Sequence, residues 1–455
     1  MKLKVKNIFI KGFMMLTIGV VFTACKKGYF YPGINDNPSQ LQKPIATNLL
    51  PGIIQSTGYE WNGDASRFTS TFMQQVTGAA NQSALANTYA VSTDDVNNMW
   101  TTGLYGGGIM NNANSLIKIA DAANQAHYGA IGRIMMANAL GLTTDLWGDV
   151  PYTEAFQGTA NLQPHYDPQQ SIYATLDKLL SDAITLAAKT ETTAQPGADD
   201  VLYSGNMGKW VRFAHSLRAK LYLHLVKIDP ANYDKALAEA ALGFTSNTDD
   251  AAVPFSGASV TSQNPWYQFY NQRSGDIAFT GYIYDLLAGT ADPAEVPAKD
   301  PRLAVYSDGN GGLGTLYGSA NSAVYLLSYD ELMFIQAEAQ FQKGNKAAAA
   351  TAYNNAVSAN LTRTVGSSAY AGTYTKTAAN ITLKDIMVQK YIANFLNPET
   401  WTDWRRTGYP QLTPNASGVL NGQIPRSLLY PSGEQRYNAN APKNTSMLKR
   451  VWWDK

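Results

Sequence analysis

The sequence holds one cysteine, Cys25, in 455 residues. No intrachain disulfide can form, so stability has to come from packing. Charge is scarce too: Asp, Glu, Lys and Arg make up 15% of the chain, with 35 basic residues against 34 acidic ones. That near-balance leaves no electrostatic footprint for nucleic acid. The four histidines, His127, His165, His215 and His224, include no i, i+4 pair and no HExxH, so they offer zinc no recognisable ligand set. Gly106 to Gly108 has no strand before it and no Gly-Lys-Ser/Thr after it, which argues for a packing or loop role rather than a phosphate loop. A Gly-x-Ser-x-Gly elbow is missing as well. Carboxylates do occur in doublets, Asp94-Asp95, Asp199-Asp200 and Asp249-Asp250. Glycosidases need two carboxyl groups about 5 to 9.5 Å apart, and residues adjacent in sequence rarely point into one cleft. The doublets therefore read as helix caps or solvated loops, with a calcium ion held by loop carboxylates and carbonyls left open. No catalytic residue, metal ligand or cofactor is assigned. Long apolar runs are missing after residue 25: those around Met135 and Leu332 are broken within a few residues by Asn, Asp, Glu or Gln, and read as core helices.

The first 25 residues are different. Lys2, Lys4, Lys6 and Lys11 form a basic head, and Phe13 to Ala24 form an uncharged, largely apolar segment of twelve. Twelve residues suit a signal-peptide core, whereas a spanning helix needs about 20. Thr23 and Ala24 before Cys25 look like a bacterial lipobox, with Phe22 where Leu is usual. Residues 1–24 then read as a lipoprotein signal peptide, Cys25 as the lipidated residue, and 25–38 as a tether. Two or more acyl chains on Cys25 would make a durable anchor.

Residues 39–455 read as a single all-α domain. Helical periods run through 40–54, where Pro51 is expected to bend or end the helix, and through 111–123 and 131–146. Asp167 is expected to cap a helix carrying Ile172, Leu176, Leu179, Ala183 and Ala187. Residues 207–226 and 231–242 follow with the same period. From 244 to 326 the periodicity fades into Gly, Pro, Ser and Asn, broken by short pieces at 266–270 and 282–287, and such long loops are more often functional than idle. Residues 329–342 and 346–360 form a helix pair joined at Gly344-Asn345, with Ala337, Gly344, Ala349, Tyr353 and Ala356 at tetratricopeptide spacing. One such unit cannot bury its own face, so further pairs should stack on it, those at 111–146 and 168–226 being candidates. A last long helix is expected over 383–395.

Two segments stand out, TDLWGDVPYTEA at 144–155 and WTDWRRTGYP at 401–410. Each reads first as a buried network in which Arg405 or Arg406 pairs with Asp145, Asp149 or Asp403 beneath aromatic faces. With the lipobox, NDNPSQL at 35–41, YDPQQSIYATL at 166–176, MGKWVRFAHSLRAKLYL at 207–223, DPRL at 300–303, SYDELMFIQAEAQ at 328–340, IPRSLLYPSGEQ at 424–435 and VWWD at 451–454, they make the chain resemble the SusD/RagB nutrient-binding lipoproteins of Bacteroidetes outer membranes, nearest to the second SusD-like subgroup. The resemblance implies an all-helical scaffold of tetratricopeptide-like pairs with a loop-rich ligand region, a glycan ligand, and a SusC-like TonB-dependent outer-membrane barrel as partner. It also implies anchoring to the outer membrane facing the exterior, although Lys26, Lys27 and Gly28 stand where surface-exposed members often carry acidic residues, which leaves orientation open. Peptide capture by the same machinery, or an anchored glycoside hydrolase, are the alternatives. No fixed motif transfers the ligand site. Composition supplies the candidates, because sugars stack their C–H faces on rings and pair their hydroxyls with amides: Tyr59, Trp61 and Trp100 from the first loop region, and Trp266, Tyr267 and Tyr270 from the second.

Overall fold

The computed structural model of the protein describes residues 44–443 and 446–455. Cys25, the signal peptide, the tether and the start of the first expected helix lie outside the described residues.

Helix α1 (Ala46–Glu60) continues uninterrupted through Pro51, where the sequence predicts a bend or an end. Pro51 lies early in the helix, where its missing N–H orphans only the carbonyl of Thr47, an exposed residue that water can satisfy. One face of α1 buries Leu50, Ile53 and Ile54. A π-helical turn at Trp61–Ala65 leads into α2 (Ser66–Phe72), followed by α3 (Asn81–Asn87) and a second π-turn at Met99–Tyr105.

Helices α4 (Met110–Ala122), α5 (Ala126–Trp147), α6 (Gln169–Ala187) and α7 (Met207–His224) pack as successive neighbours, the stacked pairs that the sequence calls for. Helix α6 is not capped by Asp167. Its Gln169 N–H is taken by Asp149 Oδ1 at 2.8 Å, while Asp167 accepts the N–H groups of Tyr152 and Thr153 at 2.8 and 2.9 Å. The aspartate in the turn after α5 thus starts the next helix, and the one beside it ties the turn down.

Helix α8 (Asn232–Ala240) packs on α7 and introduces the loop-rich region, which contains α9 (Pro265–Gln272). Two short antiparallel pairs stitch this region to the helices: β1 (Thr77–Gly78) with β3 (Ile277–Ala278), and β2 (Ala251–Val253) with β4 (Val324–Leu327). The tetratricopeptide-like pair follows as α10 (Tyr329–Gln342) and α11 (Lys346–Val365), with Ala337, Ala349, Tyr353 and Ala356 all buried between them. Gly344 turns the chain at φ +82°, a conformation that costs glycine nothing. Helices α12 (Leu383–Ala393) and α13 (Glu399–Thr407) complete the scaffold. Among the described residues no helix is long and apolar enough to cross a membrane.

The two singled-out segments meet in the core. Arg405 lies 4.0 Å over Trp401 and 4.7 Å over Trp453, and donates to the backbone carbonyls of Asp145 and Arg426 rather than to a carboxylate. Arg406 does pair with Asp403 at 2.6 Å, but its two-pronged partner is Glu338 of α10. Asp145 instead accepts from Tyr173 at 2.6 Å and Trp453 at 2.9 Å and lies 3.3 Å from His224.

These buried groups set a pH dependence. Burial alone would lower the pKa of His224, but Glu399, 2.8 Å away, and Asp145 outweigh it and push the imidazole up to about 9. Burial raises Glu60 to about 8 and Asp250 to about 7. All three hold protons in the folded state that the unfolded chain releases, so each contribution is complete below its unfolded pKa, about 4 for the acids and 6.5 for histidine, and is lost as pH rises through the folded value. Asp300 and Asp330 act oppositely: Arg302 and Arg363 overcome the desolvation and hold them below the ordinary range. Their stabilisation is lost only as pH falls below about 4. Thermal unfolding followed by circular dichroism is therefore expected to peak near pH 5 and to decline steadily towards pH 9; a maximum at pH 8 or above would contradict these assignments.

Candidate functional site

The six aromatic candidates separate into core and surface. Trp61 is 4% exposed, with the Lys220 ammonium 5.2 Å above its ring. Trp100 is 2% exposed and packed among Tyr105, Trp147, Tyr166 and Tyr430 at centroid distances of 4.7 to 6.3 Å. Trp266 is fully buried, its indole N–H donating to Ser66 Oγ at 3.0 Å. These three tryptophans belong to the interior because each lies on a helical turn whose inward face must be filled. Tyr59, at 38%, is exposed, and Tyr267 and Tyr270 are half-buried.

Helix α9 explains the division. Asn264 caps it by accepting the N–H groups of Trp266 and Tyr267 at 2.9 and 3.2 Å, and Pro265 fits its first turn. Trp266 then anchors the helix, which leaves Tyr267, Phe269 and Tyr270 half-buried at the surface. The Tyr270 hydroxyl rests against Gly312, where any Cβ would collide with it.

Tyr59 comes from α1, 209 residues earlier, and its hydroxyl donates to Gln268 of α9. Gln268 in turn donates to the Val260 carbonyl at 2.5 Å. Beside this link, Arg67 of α2 lies 4.5 Å over the Phe269 ring and is ion-paired with Asp64 one helical turn back. Arg67, Asp64 and Phe269, with Thr71 and with Gln82 and Ser83 of α3, line a shallow open cleft. Below it Glu60 packs against Gly103, and its burial, reinforced by the Asp64 charge, keeps its carboxyl protonated near neutral pH. The cleft is thus lined by two aromatic rings, Phe68 and Phe269, one ion pair, an amide, two hydroxyls and the aliphatic side chains of Ala86 and Ile277.

Arg67, Asp64 and Phe269 are absent from the composition-based candidates. Phe269 could have been found as the third ring of the WYQFY run, and Arg67 from its spacing three residues after Asp64 within a helix start.

The carboxylates around the cleft are committed to the protein. Asp64 holds Arg67, Asp276 accepts from Asn81 at 2.7 Å, and Asp95 accepts from the Ser92 backbone and from Gln82. Of the doublets, Asp200, Asp249 and Asp250 are buried rather than solvated. Asp200 gathers the N–H groups of Leu202, Tyr203 and Gly205 and the indole of Trp210, and Asp249 pairs with Arg212. Among the described residues no three His, Cys, Asp or Glu side chains gather as a metal site.

Comparison with known proteins agrees with this picture. The family described as "Starch-binding associating with outer membrane" matches residues 38–431. Three solved structures are similar over 90% of this chain: a SusD/RagB family protein from Bacteroides thetaiotaomicron, at 24% identity, TM-score 0.71 and 99% of its own length; a chitin-binding protein, at 22%, 0.75 and 100%; and a chitin-binding SusD homologue from Flavobacterium johnsoniae, at 21%, 0.69 and 98%. Among curated proteins nothing matches. The match over most of the chain, with the all-helical architecture beneath it, means that this chain belongs to the SusD-like family of non-catalytic, nutrient-binding proteins associated with the outer membrane.

Proposed function

We propose that the chain is a lipid-anchored capture protein. Cys25 tethers it to the outer membrane on the outward face, neutral oligosaccharides enter the Arg67 cleft, and the bound glycan passes to a TonB-dependent barrel of the SusC kind. The cleft carries this reading: Phe269, half-buried in its wall with Arg67 over one face, close to Tyr59 and the Gln82 amide, gives a sugar ring an apolar surface and hydrogen-bonding neighbours together. Two structural neighbours whose names specify chitin make chitin-derived oligosaccharides, with the starch of the family description, the first ligands to try. A tether that keeps the protein near its transporter raises the effective concentration at hand-over without any new contact.

Titration of the purified chain against chitin- and starch-derived oligosaccharides and a set of peptides is the test. Binding to at least one glycan and to no peptide is the expected result. Binding to peptides alone would transfer the cleft to peptide capture, and reducing ends appearing on incubation would make the chain a hydrolase. In cells, Cys25→Ser is expected to move the protein from the membrane to the soluble fraction, and retention on the membrane would sink the lipid anchor.

A further inference from the structure

A second cleft, of about 240 Å³, adjoins the first at Thr71, which lines both. Its chemistry differs from the first. Val76 and Tyr89, both buried, supply apolar surface, and Gln74, Asn87, Thr413 and Asn415 bring amides and a hydroxyl. No carboxylate, ammonium or guanidinium lines it. A peptide terminus or an acidic ligand would meet no counter-charge here, whereas a neutral sugar would meet both a surface for its ring and partners for its hydroxyls.

The backbone around this cleft is held against its own preference. Gln74 and Tyr89, both in its wall, adopt φ of 54° and 61°. Left-handed backbone costs a residue with a Cβ roughly 1–2 kcal/mol, and such strain persists where the surroundings enforce it. The C-terminal loop does so: Gln74 Nε2 donates to the Thr413 carbonyl at 2.6 Å, and the Asn415 N–H donates to Tyr89 Oη at 3.0 Å. Asn415 Nδ2 also donates to the Asn87 carbonyl at 2.8 Å. The side-chain amide of Asn87 bonds no described residue, and Asn87 is only half-buried in the cleft wall. Exposed Leu85 and Val419 stand nearby, the Thr88 hydroxyl reaching the Leu85 carbonyl at 3.2 Å and Val419 N–H the Thr88 carbonyl at 2.9 Å.

We infer that this cleft is a second sugar subsite, continuous with the first at Thr71, so that the ligand is a chain of neutral sugars spanning both clefts. The inference rests on the Arg67 cleft being the glycan site. It assigns Asn87 to ligand length: a short glycan occupies the Arg67 cleft alone, and a longer one reaches Asn87.

Isothermal titration with a neutral disaccharide and a hexasaccharide of the same linkage tests it on the full mature chain. The wild type is expected to bind the hexasaccharide about tenfold more tightly than the disaccharide. Asn87→Trp, which fills the cleft without removing a side-chain bond, is expected to erase that advantage and leave disaccharide binding unchanged. Should that substitution disturb the fold, the disaccharide arm reports it, and Thr413→Trp from the opposite, exposed wall replaces it. Equal affinity for both lengths in the wild type, or a length preference that survives both substitutions, overturns the subsite while leaving the first cleft in place. If no glycan binds the wild type at all, the first cleft's reading falls and takes the second with it.

Discussion

Replacing Glu338 with alanine is expected to destabilise the protein by about 3–5 kcal/mol, the cost of leaving a buried charge without its partner. Arg406 grips Glu338 with two nitrogens at 2.8 and 3.0 Å, and both side chains are 1% exposed. The same guanidinium reaches Asp403, which also holds the ammonium of Lys390 at 2.8 Å. Two cations and two carboxylates are therefore balanced among α10, α12 and α13. Without Glu338, Arg406 and Lys390 share a single carboxylate in a place that water does not reach. The effect should travel to the cleft, because α13 carries Trp401, whose ring meets Phe72 of α2 edge-on at 5.4 Å, and α2 also carries Arg67 and Thr71. Urea unfolding measures the loss directly. A change below about 0.5 kcal/mol would show the network to be solvated, and the double substitution Glu338→Leu with Arg406→Met should recover most of the loss, since removing a pair together leaves no orphan.

Two aromatic residues three positions apart on α9 should behave as opposites. Trp266→Ala is expected to cost about 3–5 kcal/mol, the usual range for emptying a buried tryptophan site. The substitution also strands Ser66 Oγ, which still donates to the Leu396 carbonyl at 2.6 Å but loses the indole donor. Phe269→Ala, on a half-buried residue, is expected to cost less than about 1.5 kcal/mol of stability. Its effect falls on binding instead: the lost ring should weaken oligosaccharide affinity by about tenfold. Thermal melts and glycan titrations on both variants separate the roles. A Trp266→Ala protein of native stability that no longer binds glycan would return the indole to the site, and unchanged affinity in Phe269→Ala would remove the ring from it.

The contrast between these neighbours shows what the sequence could and could not convey. Where a pattern is enforced by packing it was legible: Ala337, Ala349, Tyr353 and Ala356 predict the α10–α11 pair because only small or well-shaped residues allow two helices that close. The stripe from Trp210 to Leu221 likewise marks α7. The same sequence reads Trp61, Trp100 and Trp266 as surface candidates, since irregular stretches carry no period from which an inward face can be deduced. Two of these tryptophans lie in or beside π-turns and one at the start of an eight-residue helix, too little chain for a repeat to show. Partnerships across long separations were equally hidden. The sequence can nominate Asp403 for Arg406, three residues away, but not Glu338. Asp167 and Asp149 are interchangeable as helix caps on paper, and only the turn between α5 and α6 decides which one reaches Gln169.

Tyr59 meets Gln268 across 209 residues, Gln74 meets Thr413 across 339, and Tyr89 meets Asn415 across 326. The two clefts therefore need different lengths of chain: the residues lining the first end at Ile277, and those lining the second extend to Asn415. A nascent chain that has not reached residue 415 carries all the helices that present Tyr59, Arg67 and Phe269 and still lacks the loop that shapes the second cleft, and one cut before residue 265 lacks α9 altogether. The second cleft is thus a marker of completion: it is shaped only once the loop carrying Thr413 and Asn415 has met the helices laid down more than 300 residues earlier.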